Sequence, residues 1–206
     1  MMKEYNINQT TLKILSLYAN DYKKSLHVRA IARETEVDVK AIQLQLVRLE
    51  RANVLKSVLK GRNKEYFLNL DNYITKHFMA MAESFTSANF LTNNFVIKKI
   101  ISEVGDKLDG IVVLFGSFAA GKQIKESDID LFVVSEKELG SIGKAAIAKE
   151  SSLIDREVSV KYSTRQKFIQ GLETGDPMVR EVISNHILLK GVDEFCEMMW
   201  RYYAKR

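Results

Sequence analysis

Between Leu114 and Val134 the chain reads LFGSFAAGKQIKESDIDLFVV, two apolar runs separated by a polar segment that contains Gly116 and Gly121. The first run, IVVLF over residues 111–115, is an unbroken apolar stretch of the length of a buried strand. The second run begins only five residues after Gln123. A helical crossover to a parallel strand needs at least about 10–12 residues, so the segment predicts a strand, a short helical turn and a second strand. Residues two apart on a strand share a face. Asp128 and Asp130 are therefore expected side by side beside a glycine-bounded turn, whose free N–H groups and Ser117 hydroxyl suit phosphate oxygens.

Gly116, Gly121 and Lys122 stand in the register of the phosphate loop G-x-x-x-x-G-K-[ST]. Two features exclude that loop. The spacing leaves no room for its crossover helix, and Gln123 stands where the loop needs a hydroxyl for Mg²⁺. Two carboxylates on one strand face are instead hard oxygen ligands of the kind that suit Mg²⁺ or Mn²⁺, sharing the ion with oxygens of a bound triphosphate.

The 206 residues carry a net charge of +5 and 46% hydrophobic residues with a single proline, which describes a packed globular protein. Residues 1–70 hold 13 Lys/Arg and 7 Asp/Glu, a balance of +6, and the rest of the chain holds 18 against 19, or −1. The basic excess thus sits in the first third, as in a nucleic-acid-binding module joined to something else. The single cysteine, Cys196, excludes an internal disulfide framework and fits a small core residue. No run approaches the roughly 20 apolar residues of a membrane helix, and MMKEYNINQT has no apolar signal core. A cytoplasmic protein without a membrane partner is expected.

In the first third, NQTTLKILSLYAND carries Leu12, Ile14, Leu15, Leu17 and Tyr18 at near-helical spacing. A short helix over VRAIARETEV follows. Asp38 can cap a third helix, in which Ile42, Leu46 and Leu49 mark a buried face. LKSVLK and EYFLNL then read as strands around Gly61-Arg62-Asn63-Lys64, a turn with a basic tip. Three helices and a hairpin in this order resemble the winged-helix transcription regulators common in prokaryotes. The resemblance implies that the third helix enters the major groove of DNA while the wing lies on phosphate. Lys40, Gln43, Arg48 and Arg51 are the expected contacts from the helix, and Arg62 and Lys64 from the wing. Leu44 and Val47 share that outer face, and they fit base-methyl contacts and a protein-protein or dimerisation surface equally well.

Residues 71–94 read as a linker helix with Ile74, Phe78, Met81 and Phe85 at helical spacing, and His77 as a surface or interface histidine. A homodimer contact is expected in this region, because winged-helix proteins bind DNA as two-fold dimers. FVIKKIISEVGDKL opens a second domain. Beyond a helical EKELGSIGKAAIAKESSLI, the segment DREVSVKY alternates Glu157, Ser159 and Lys161 with Val158, Val160 and Tyr162, a strand pattern. Asp176-Pro177 marks a capped helix start, and His186 opens an apolar strand as a structural residue.

The elements Gly116-Ser117-x-x-x-Gly121 and Ser127-Asp128-x-Asp130 resemble the signature of the polymerase-β-like nucleotidyltransferase superfamily, especially its minimal members. At usage of about 5–7% per residue type, five such matches at fixed offsets arise by chance roughly once in a million starts. The G-D-P-x-x-R-E-V and I-L-L-K-G segments are similar to the C-terminal portion of prokaryotic members that carry winged helices. The resemblance implies transfer of a nucleoside monophosphate, most plausibly AMP from ATP, to a hydroxyl acceptor with Mg²⁺ or Mn²⁺. It assigns Asp128, Asp130 and a third carboxylate to metal and catalysis, with Glu157 the choice and Asp155 the alternative. Gly116, Ser117, Gly121, Lys122 and Ser127 are the expected nucleotide-binding residues. Members often carry Arg before the second glycine, where this chain has Ala120, so Lys122 is a substitute charge. Antitoxin members adenylylate a toxin, which makes a partner protein a candidate acceptor; a transcription regulator that only senses nucleotide is the alternative.

The expected fold is therefore α+β: a winged helix-turn-helix over residues 1–70, a linker helix over 71–94 and a mixed α/β nucleotidyltransferase domain over 95–206.

Overall fold

The computed structural model describes residues 7–137 and 140–204. Residues 1–6, on which the reading of the chain start partly rests, and Glu138 and Leu139 of the expected helical segment lie outside the described residues. The chain divides into two compact units, one of residues 1–85 with 196–206 and the other of residues 86–195.

The first unit begins with α1 (Gln9–Ser16), β1 (Leu26–His27), α2 (Val28–Thr35), α3 (Val39–Arg51), β2 (Leu55–Lys60) and β3 (Asn63–Leu68). Helix starts are set by side-chain caps: Asn8 accepts from Thr11 N, and Asp38 from Lys40 N and Ala41 N. Ile42, Leu46 and Leu49 of α3 are buried with Ile14, Leu15 and Ile31, so these helices share one core. Each such burial contributes about 1.5–3 kcal/mol. The strands form an antiparallel sheet in the order β1-β3-β2. The Tyr18 hydroxyl donates to Tyr66 O at 2.9 Å and ties the helices to it.

The first part of α4 (Ile74–Asn93) completes this unit together with the end of α10 (Val192–Ala204). There Lys76 donates to Glu197 and to the Tyr73 hydroxyl, Tyr22 stacks on Tyr203 at 5.2 Å, and Cys196 is buried.

The second unit contains α5 (Phe95–Val104), β4 (Ile111–Phe115), the one-turn α6 (Gly116–Ala119), β5 (Ile129–Val134), α7 (Ser141–Ile154), β6 (Val158–Ser163), α8 (Arg165–Thr174), α9 (Pro177–Ser184) and β7 (Ile187–Lys190). Its sheet runs β6-β5-β4-β7. Strands β4 and β5 are antiparallel neighbours, which is the direct strand, turn, strand arrangement and not the parallel crossover of a phosphate loop. β5 and β6 are parallel, with α7 as their crossover. One sheet face, through Val112, Leu114, Leu131, Val133 and Val158, packs on Ile97, Ile100 and Val104 of α5 and Ile147 of α7. On the other face Phe132 meets Phe115 and Phe168, and Phe168 meets Phe195. Asp176 caps α9 by accepting from Val179 N, with Pro177 at its first turn. No helix among the described residues is long and apolar enough to cross a membrane.

Candidate active site

The site forms where β4 ends and β5 begins. Phe115 pairs with Asp130 across the two strands, and Asp130 pairs with Ser159 of β6. Cross-strand partners project to the same side, so the acidic side of the sheet is the Phe132 side and not the α5 and α7 side. Asp128 is the exposed residue just before β5, and Asp130 is half-buried. Ile129 N donates to Glu157 O at 2.9 Å, which sets Asp128 level with Glu157 one step before the strand pairing starts. The expected third carboxylate thus stands beside Asp128, whereas Ser159 stands beside Asp130. Asp155, the alternative, ends α7 in a left-handed conformation at φ 52°.

Gly116 explains how the turn and the carboxylate come together. Its φ of +69° is left-handed, and a Cβ built there would lie 2.7 Å from Asp130 Oδ2. Any side chain would meet both a strained backbone and an occupied position. The chain then winds through α6 and turns at Gly121, φ +64°, with open space around it. Ser117 is half-buried, with its carbonyl accepting from Lys122 N at 2.9 Å. Lys122 is exposed. Ser127 uses its hydroxyl to accept from Ile124 N at 2.9 Å, so it shapes the loop that delivers Asp128. Arg156 braces the same loop, donating to Ile124 O at 3.2 Å and Ser127 O at 3.1 Å.

Burial is the largest cause that lifts the Asp130 carboxyl above the usual carboxylate range. The Lys161 ammonium opposes the rise, and the carboxylates of Asp128, Glu181 and Glu157 add to it. Two of these charges had no assigned role in the sequence. Lys161 shares the strand parity of Glu157 and Ser159, a signal that could have placed it. Glu181 lies on α9, which packs against β4; nothing in its local sequence announces that approach. Among the described residues, no group of three or more His, Cys, Asp and Glu side chains could hold a metal ion. The fitting donors are the paired carboxylates: hard oxygens on one face, with negative charge in excess, which a divalent cation would offset.

In the first unit, Lys40, Gln43, Arg48 and Arg51 are exposed on α3 and Arg62 is exposed at the hairpin turn. Lys64 is engaged: its ammonium lies 2.8 Å from Glu50 Oε2 and 5.1 Å from the centre of the Tyr66 ring. That hydrogen bond is the leading cause of a lowered Glu50 carboxyl pKa. Leu44 and Val47 are 52% and 39% exposed, so the outer face of α3 is mixed basic and apolar.

The strand-turn-strand thus sets two carboxylates beside a glycine turn, with a parallel third strand next to them. Residues 97–189 match the family model of the nucleotidyltransferase domain, so the second unit carries that domain and the protein is a nucleotidyltransferase. No curated protein matches the chain. A solved structure described as a toxin-antitoxin with AMP-PNP is similar over 52% of this chain and 85% of its own, at 23% identity and a TM-score of 0.34.

Proposed function

We propose that the second unit transfers a nucleoside monophosphate, AMP from ATP, to an acceptor hydroxyl, and that the reaction depends on Mg²⁺ or Mn²⁺. The observation that carries this reading is the approach of the Gly116 turn to Asp130, within 2.7 Å of where a Cβ would stand. Asp128 and Asp130 would hold the cation, which when bound supplies Lewis-acid polarisation of phosphate oxygens. Gly116 and Gly121 let the backbone come close to the nucleotide, and Ser117 offers its hydroxyl to it. Glu157, level with Asp128, takes the proton of the acceptor hydroxyl. The acceptor oxygen bonds to the α-phosphorus, the bond from that phosphorus to the bridging oxygen breaks, and pyrophosphate leaves with the electron pair.

The test is incubation of the purified protein and Mg²⁺ with ATP labelled at the α-phosphate, in cell lysate, beside an Asp128→Asn/Asp130→Asn control. Label on an acceptor that disappears in the control supports the reading and identifies the acceptor, whether a partner protein or a small molecule. Equal labelling in both removes the assigned role of the two carboxylates.

A nucleotide-sensing regulator is the second reading, favoured by Ser159 in place of a carboxylate beside Asp130. It expects ATP binding with no transfer in the same assay. In both readings the first unit acts as a winged helix that binds DNA as a two-fold dimer, through Lys40, Gln43, Arg48, Arg51, Arg62 and Lys64. Its support is the exposed basic set on α3 and the hairpin. DNA affinity that falls steeply with salt and weakens in Arg51→Ala/Arg62→Ala supports this. Salt-insensitive or absent binding turns the assignment to a docking surface around Leu44 and Val47.

A further inference from the structure

We infer that Lys161 is a phosphate-binding residue of the active site, meeting the polyphosphate of the nucleotide on the Asp130 side of the sheet. The inference deepens the proposed nucleotidyl transfer and rests on it.

Lys161 alternates on β6 with inward-packed valines and shares its face with Ser159, the cross-strand partner of Asp130. It pairs with Phe132, the next residue on the Asp130 face of β5. Its ammonium lies 5.5 Å from the centre of the Phe115 ring, and Phe115 is the cross-strand partner of Asp130 on the other side. The same nitrogen lies 4.0 Å from Met178 Sδ on α9. The ammonium thus lies near an aromatic ring and a thioether, neither of which carries a neutralising charge. Lys161 makes no ion pair among the described residues, although Asp130 senses its charge. Lys60, Lys64 and Arg165, by contrast, each reach a carboxylate at 2.8 Å.

The charge environment gives this cation its use. Asp128, Asp130, Glu157 and Glu181 all act on the same region, and a polyanionic triphosphate entering it meets strong repulsion. A cation on the same face offsets part of that repulsion. Lys122, the cation that the sequence offered for this role, is exposed on the loop after α6, whereas Lys161 reaches the Asp130 side from the neighbouring strand and its charge acts on that carboxyl.

The test is titration of ATP with Mg²⁺ into the wild-type protein, Lys161→Met and Lys161→Arg at two salt concentrations, with thermal melting to establish that each variant is folded. The expected result is a Kd raised about tenfold in Lys161→Met, with a shallower salt dependence, and a Kd within about threefold of wild type in Lys161→Arg. If the methionine variant does not fold, Lys161→Gln is measured in its place against the same expectation. A Kd for the uncharged variant within about twofold of wild type, or a loss that arginine does not restore, overturns the inference and leaves the nucleotidyl-transfer reading intact. Failure of the wild-type protein to bind ATP removes both.

Discussion

The two faces of the four-stranded sheet use the same backbone for opposite purposes. On one face Leu114, Leu131 and Val133 alternate into a dry core with α5 and α7. On the other, Asp128, Asp130, Ser159 and Lys161 emerge at one end of a layer that begins with Phe132 and Phe168. Stability there comes from removing apolar surface from water. The site gathers like charges and keeps them half-solvated, which costs stability. The comparison separates residues that hold the fold from residues that sit in it against their own preference.

The sharpest way to break that separation is to exchange both acids. Asp128→Asn/Asp130→Asn is expected to lower label transfer by about a thousandfold or more, since a single preorganised electrostatic element is worth about 10²–10³. The folded content by circular dichroism should not change. Loss of fold together with loss of transfer would mean that the acidic face is structural after all.

On the opposite face Leu131→Ala should cost about 2–5 kcal/mol in urea unfolding, the range for a leucine removed from a close-packed core. A cost below about 1 kcal/mol would show that the α5 and α7 face is not tightly packed. Gly116→Ala joins the two faces, because it strains the backbone and displaces Asp130 at once. It is expected to lose about 1–2 kcal/mol of stability and to lower transfer more than that loss of folded protein explains, measured at a temperature where the variant stays folded.

The smallest effect has the opposite sign. Asp130 is raised above the ordinary aspartate value of about 3.9, chiefly by burial. The folded state therefore binds this proton more tightly than the unfolded state, and stability falls as pH rises from that ordinary value through the raised one. Asp130→Asn removes the penalty. With chelator present, its melting temperature should exceed that of wild type by about 1–3 °C at pH 7, and the two should converge below about pH 4. An equal or lower melting temperature at pH 7 would show that Asp130 is not held against its charge.

Local chemistry made much of the fold legible. The caps at Asp38 and Asp176 and the buried triad Ile42, Leu46 and Leu49 follow from side-chain reach and helical period, which act within a few residues. The direct strand-turn-strand around Gly116 followed from a spacing too short for any crossover. Boundaries were less legible: Asp128 and Glu157 lie one residue outside β5 and β6, because a strand starts where its partner begins to pair. The pairing of Lys64 with Glu50 joins the hairpin to α3, and no local pattern encodes it.

The sequence by itself determined that two carboxylates lie on one face beside a glycine turn, because alternation and spacing are properties of a single segment. It also determined the basic bias of the first third. Tertiary structure decided what surrounds those carboxylates. The parallel register of β6 put Ser159 beside Asp130 and Glu157 beside Asp128, and the packing of α9 brought Met178 and Glu181 to the same side. It also set Cys196 and the residues after it into the first unit, far in sequence from everything else there. The physical reason is range. A residue's face follows from the chain on either side of it, but its neighbours across a sheet follow from how every other element buries its own apolar side.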